Sequence, residues 1–115
     1  MNIYNFKGES LKFDCLDIKS IIGFDWDEGN IDKNEKKHDL KWQIIEEIFF
    51  NKPLLVIEDE KHSADECRCF ALGITDEKYQ LFVVFTKRQN KIRVISARLM
   101  NKKERNIYEN FKNNS

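Results

Sequence analysis

Three groupings in this sequence carry residue types that handle phosphate. One is the polar stretch Lys61-His62-Ser63-Ala64-Asp65-Glu66-Cys67-Arg68; another is the pair Arg93 and Arg98 within KIRVISARL; the last is Arg105 with Tyr108. Arginine presents five donors in a planar fork that matches phosphate oxygens. Histidine is the natural acid or base near neutral pH. Cleavage of RNA through its 2′-hydroxyl needs a base, a cation to hold the phosphorane and an acid for the leaving oxygen. His62, Arg68 and Arg98 cover these roles without a metal, and Tyr108 is a further candidate for the proton. Each has a plainer reading too. His62 is equally suited to capping a loop, Arg98 to pairing with a carboxylate such as Glu104 or Asp65, and Tyr108 to packing on a sheet.

Positioning these groups requires strands and a helix. Extended geometry places Ile92, Val94, Ser96 and Arg98 on one face, and Arg93, Ile95 and Ala97 on the other. Arg93 and Arg98 are therefore expected to face opposite ways. Arg105 and Tyr108 lie three apart and share a helix side, so one surface would combine Arg98, Arg105 and Tyr108. Four strands are expected, over Leu54–Ile57, Arg68–Gly73, Gln80–Thr86 and Lys91–Ala97. The links Thr75–Lys78 and Lys87–Asn90 are short and polar, which favours antiparallel neighbours. Leu81-Phe82-Val83-Val84-Phe85 is apolar throughout and reads as a central strand covered on both sides.

Helices precede and follow the strands. Asp27 can cap a helix over 28–37, with Lys36, Lys37 and His38 matching the dipole at its end. Its apolar side is thin, chiefly Ile31 with Asn34 and His38. A second helix over 41–50 carries Ile44, Ile45, Ile48 and Phe49 at helical spacing, and Asn51-Lys52-Pro53 stops it. A last helix begins near Lys102, where Asn101 and Glu104 have capping-box spacing. NIYNF and SLKFDCLDI show enough alternation for a short strand or hairpin. The expected fold is α+β: two N-terminal helices, a four-stranded, mainly antiparallel sheet and a closing helix.

With 115 residues, 41% apolar and 35% charged, the chain has the composition of one small folded domain. It divides into an N-terminal extension, 1–23, and a single domain over 24–112. No run approaches the roughly 18 apolar residues of a membrane span, and the start carries no export signal. The odd set Cys15, Cys67 and Cys69 suits a reducing compartment, and a cytoplasmic location is expected. The zero net charge conceals a polarity. Residues 24–66 hold thirteen acids against six Lys/Arg, whereas 87–105 hold eight Lys/Arg against one acid, Glu104. A basic block of this kind can meet a polyanion, with Lys87, Arg88, Arg93, Lys102 and Arg105 as RNA contacts. The acidic block can equally pair with it inside the fold. His38 and His62 are distant and lie in no zinc-enzyme motif, so neither metal nor other cofactor is expected. A glycine-rich phosphate loop and a Gly-x-Ser-x-Gly elbow are both missing, which argues against nucleotide hydrolysis and serine-hydrolase chemistry.

An ordered set of these features resembles the BrnT toxin family. It runs from Phe24-Asp25-Trp26-Asp27-Glu28-Gly29-Asn30 through Lys33-Asn34, Lys37-His38, Glu46-Glu47-Ile48-Phe49-Phe50-Asn51 and Pro53-Leu54-Leu55. It continues with His62-Ser63, Arg68, Gly73, Phe82-Val83-Val84-Phe85-Thr86 and Ile92-Arg93-Val94-Ile95-Ser96-Ala97-Arg98, then Glu104-Arg105 and Tyr108. The resemblance covers roughly 24–110. It implies a RelE-like endoribonuclease, the toxin of a type II toxin–antitoxin pair, slowing translation by cutting RNA. The implied partner is a ribbon-helix-helix antitoxin, in a possible heterotetramer that meets operator DNA only through the antitoxin. It also implies recurrent polar positions at His38, His62, Arg68, Arg93, Arg98, Glu104, Arg105 and Tyr108. One departure is Asp39, where the family usually has glycine; Asp39 can sit in a left-handed turn or cap the second helix. A competing reading is a binding module of the same fold, for protein or RNA, without catalysis.

Overall fold

Asp27 caps the first helix as its type predicts: its Oδ1 accepts from the Asn30 amide at 2.7 Å. Helix α1 spans Glu28–His38 and ends at Asp39 in the left-handed region, φ 54° and ψ 38°. The Asp39 amide donates back to Asn34 and Glu35 carbonyls. Asp39 thus takes the turn in which glycine is at ease. Glycine there removes the Cβ penalty, and Asp39→Gly is expected to stabilise the fold by about 0.5–1 kcal/mol, read by thermal or urea unfolding. Helix α2 spans Trp42–Glu47, shorter than the expected 41–50. Beyond it the amides of Ile48, Phe49 and Phe50 donate three residues back, to Ile45, Glu46 and Glu47, which tightens the chain out of α geometry.

The computed structural model describes residues 3–4, 21–59 and 68–114, the first two by backbone alone. Its strands are β1 (Ile3–Tyr4), β2 (Gly23–Phe24), β3 (Leu54–Glu58), β4 (Arg68–Ile74), β5 (Gln80–Arg88) and β6 (Lys91–Leu99), followed by α3 (Lys102–Asn113). They form one sheet in the order β1-β3-β4-β5-β6-β2. The four expected strands are its antiparallel centre. The expected four-stranded sheet is widened by a parallel two-residue strand at each edge. The alternation of NIYNF is met by β1 at Ile3–Tyr4, whereas the two residues Gly23–Phe24 carry no periodicity and β2 is not legible as a strand. The strand or hairpin expected around Leu11 and Phe13 lies outside the described residues. Gln89 and Asn90, both at positive φ, make a two-residue hairpin between β5 and β6. Among the described residues no helix is long and apolar enough to cross a membrane.

Each face of the sheet has its own core. Leu40, Ile45, Ile48 and Phe49 pack against Leu54, Val56, Cys69, Ala71, Leu81, Val83, Phe85, Ile92, Val94 and Ala97. Gly73 allows this approach: a Cβ there would lie 2.8 Å from the Ile48 Cβ. On the opposite face α3 brings Tyr108 and Phe111 onto Leu55, Leu72 and Ile74, with Phe82 at the margin. The capping box at its start forms as the spacing predicts, Asn101 accepting from the Glu104 amide and Glu104 from the Asn101 amide.

Helix α1 does something its thin apolar stripe does not announce. Strand β2 covers β6 only at Lys91 and Ile92. Farther along, side chains of α1 take over the open edge. Asn30 donates to the Val94 carbonyl at 3.0 Å, Lys33 to the Ile95 carbonyl at 3.2 Å, and the Ala97 amide donates to Asn34 Oδ1 at 3.2 Å. An unpaired strand edge invites aggregation, and polar side chains here cover it. Asn34 is 1% exposed although it sits on the expected thin side. Asn34→Ala leaves a buried amide without its acceptor and is expected to cost about 1–3 kcal/mol in urea unfolding.

Candidate active site

Where the arginines point is decided by one extra residue. In the β5–β6 ladder Phe82 faces Arg98, Val83 faces Ala97 and Val84 faces Ser96; then Phe85 faces Val94 and Thr86 faces Arg93. Ile95 is the residue skipped, a bulge that resets alternation in β6. Opposed residues of an antiparallel pair project to the same face. Phe82, Val84 and Thr86 share a face, and so must Arg98, Ser96 and Arg93. The expectation that Arg93 and Arg98 face opposite ways is therefore corrected. Strand β4 extends the rows, with Arg68 opposite Thr86, Phe70 opposite Val84 and Leu72 opposite Phe82. One sheet face thus carries Arg68–Thr86–Arg93, then Phe70–Val84–Ser96, then Leu72–Phe82–Arg98. Three arginines from two strands are brought to one side.

Arg98 is held on two sides. Its guanidinium carbon lies 4.3 Å from the centre of the Phe82 ring, and Phe82 stacks on Phe70 with centroids 5.5 Å apart. Its fork is engaged by Glu104, Nη1 to Oε1 at 2.7 Å and Nη2 to Oε2 at 2.8 Å, while Nη1 also donates to the Leu99 carbonyl at 3.1 Å. Burial alone pushes the Glu104 carboxyl up, but the hydrogen bonds from Arg98 and Asn101 and the Arg98 charge outweigh it and hold the carboxyl below its ordinary range. The hydrogen bond to Glu104, opposed by burial, raises the Arg98 pKa further, so the guanidinium stays charged. Of the two carboxylates named as partners in sequence, Glu104 takes the role; Asp65 lies outside the described residues.

Arg93 belongs to the acidic half of the chain. It reaches Asp27 Oδ2 at 2.7 Å and Asp25 Oδ2 at 3.4 Å, joining the α1 cap to the sheet. Asp27 thereby serves a helix terminus and an ion pair at once. Arg105 is exposed on α3 and donates to the Met100 carbonyl at 2.8 Å. Lys102 is exposed in the first turn of α3, and Arg88 is exposed at the hairpin. Lys87 opposes Ile92, which packs in the α2-side core, so its side chain leaves by that face and not by the one that carries the arginines. Arg68 is half-buried at the start of β4. His62 lies outside the described residues.

Tyr108 does not join the arginines. Its side chain is fully buried, and its hydroxyl donates to the Pro53 carbonyl at 2.6 Å. Burial, helped by the Glu109 charge, pushes its pKa well above the ordinary phenol value. Cys69, facing the α2-side core, is likewise raised to about 12, by burial and then by Glu58 and Asp59. Sequence reasoning passed over Phe70 and Phe82 as supports for Arg98. Their signal is present, since both fall on alternate strand positions beside the cationic rows, but it needs the register to be read.

No curated protein matches the chain. Among solved structures, the crystal structure of the Brucella abortus ribonuclease toxin BrnT matches with a TM-score of 0.55 and 24% identity, covering 70% of this chain and 99% of that one. At that identity the likeness speaks to the fold. The family model described as the ribonuclease toxin BrnT of type II toxin–antitoxin systems matches residues 26–104. That span runs from the Trp26-Asp27 cap through the whole antiparallel centre to Glu104, the partner of Arg98. The chain belongs to the BrnT family of type II toxin–antitoxin ribonuclease toxins.

Proposed function

We propose that the protein is a metal-independent endoribonuclease that slows translation by cutting RNA in the cytoplasm and is neutralised by a ribbon-helix-helix antitoxin. The catalytic unit is the domain over 24–112 in a RelE-like arrangement, with 1–23 as an extension. The observation that carries this reading is the convergence of Arg68, Arg93 and Arg98 on one sheet face. Fixed guanidinium charge near the scissile phosphate does the electrostatic work that a metal does elsewhere. His62 takes the 2′-hydroxyl proton, the 2′-oxygen attacks phosphorus, and the bond to the 5′-oxygen breaks as that oxygen is protonated. The products are a 2′,3′-cyclic phosphate and a 5′-hydroxyl. Arg88, Lys102 and Arg105 extend the cationic surface along the RNA, while Lys87 leaves by the α2-side face. The antitoxin pairs with the toxin in a heterotetramer and carries the contact with operator DNA.

The test is incubation of folded, antitoxin-free protein with RNA in the presence of chelator, with the cut ends identified. Cleavage leaving a cyclic or 3′-phosphate is the expected result. RNA that is bound but left whole would instead identify a binding module, and RNA neither bound nor cut would overturn the reading.

A further inference from the structure

The Arg98 side chain has three of its five donors taken by Glu104 and the Leu99 carbonyl, and its guanidinium carbon sits over the Phe82 ring, 4.3 Å from its centre. It nonetheless remains 37% exposed, whereas Glu104 beneath it is 15% exposed. Glu104 is poorly placed to leave. Its Oε1 also accepts from the Asn101 amide at 2.9 Å as half of the α3 capping box. Releasing Arg98 to a phosphate would leave this carboxylate half-satisfied in a largely buried place. What Arg98 has left to offer is its Nε–Nη2 edge, which can meet a phosphate, and the side of its guanidinium turned away from Phe82.

A guanidinium plane is a stacking surface for an unpaired nucleobase. Here that plane is the end of a pile, Arg98 on Phe82 on Phe70, built across three strands. Glu104 fixes its tilt and Phe82 its height. We infer that Arg98, locked by Glu104 and backed by Phe82, is a nucleobase subsite that takes one unpaired base of the RNA, while its charge acts on the neighbouring phosphate. The ligand class is single-stranded RNA. A base held in a duplex has both faces occupied and cannot use the subsite. This rests on the ribonuclease reading and deepens it by naming how the substrate is held.

The probe is a set of single-stranded 2′-O-methyl RNA oligonucleotides, which cannot undergo cleavage, each carrying 2-aminopurine at a different position. Stacking quenches the fluorescence of this base. One position is expected to be quenched severalfold when wild-type protein binds. Arg98→Lys keeps the charge but loses the plane. It is expected to abolish that quenching and to weaken binding about tenfold, the scale of one stacked base. An abasic oligonucleotide at the same position, with wild-type protein, is expected to lose the same factor, and this arm does not depend on any variant folding. Binding without quenching at any position overturns the inference, as does equal quenching by Arg98→Lys. If wild-type protein still cleaves unmodified RNA in those cases, only the subsite is wrong. If it neither cleaves nor binds RNA, both readings fall.

Discussion

Arg98→Ala is expected to lower the RNA cleavage rate by about 10²–10³-fold, the usual effect of removing one fixed donor from a developing anion. Arg98 supplies charge and, on the inference above, a seat for a base, so no other residue on this face replaces it. The substitution also orphans Glu104, which is 15% exposed and loses both of its Arg98 bonds. A destabilisation of about 1–3 kcal/mol should accompany the lost activity. The two effects separate in Arg98→Ala with Glu104→Gln. Glutamine still accepts from the Asn101 amide as a capping box allows, and it carries no charge to strand. The double variant is expected to regain stability but not cleavage. Cleavage regained with stability would show that Arg98 acts only by holding the fold.

The same pair predicts an acid limb. Folding holds Glu104 below its ordinary value of 4.5. The unfolded chain therefore takes up the proton first as pH falls. The contribution of the pair is complete above that ordinary value and is lost as pH drops through the lowered one. Urea unfolding of wild-type protein should show this loss on the acid side, and Arg98→Ala should show less of it.

Local chemistry was legible in the sequence. Asp27 as cap of α1, Asn101 with Glu104 as a capping box, and the antiparallel centre all follow from residue types at short spacing, and all three form. Long-range geometry was not. The Ile95 bulge reverses the facing of Arg93 relative to Arg98, yet Ile95 is an ordinary strand residue with no glycine or proline to mark it. Strict alternation fails there because a bulge is a property of the ladder, which two strands write together. Asn34 lies on the inward side of α1 as expected, but its role was hidden in the same way. Its burial makes sense only beside the β6 edge, where a buried amide needs an acceptor. The two charge blocks were visible as blocks, but Arg93 meeting Asp25 and Asp27 depends on β2 and β6 lying side by side.

Tyr108 offers the sharpest separation between a residue that reacts and one that holds the fold. Its position three after Arg105 suggests a shared surface, but the ring lies under α3 against Leu55, Leu72 and Ile74 with no exposed area. A phenol driven well above its ordinary pKa keeps its proton at any pH where RNA is handled, and its hydroxyl is committed to the Pro53 carbonyl. Tyr108→Phe should therefore leave the cleavage rate unchanged while costing about 1–2 kcal/mol, because the Pro53 carbonyl loses its donor. Tyr108→Ala removes the whole ring from beneath α3. The expected cost of about 3–5 kcal/mol is a large part of what holds a domain of this size together. Urea unfolding reads both values, and α3 should be the first element to lose hydrogen-exchange protection in the alanine variant. A loss of cleavage in Tyr108→Phe without any change in unfolding would reverse the assignment, because a phenol sealed under α3 can act on RNA only if α3 lifts to admit it.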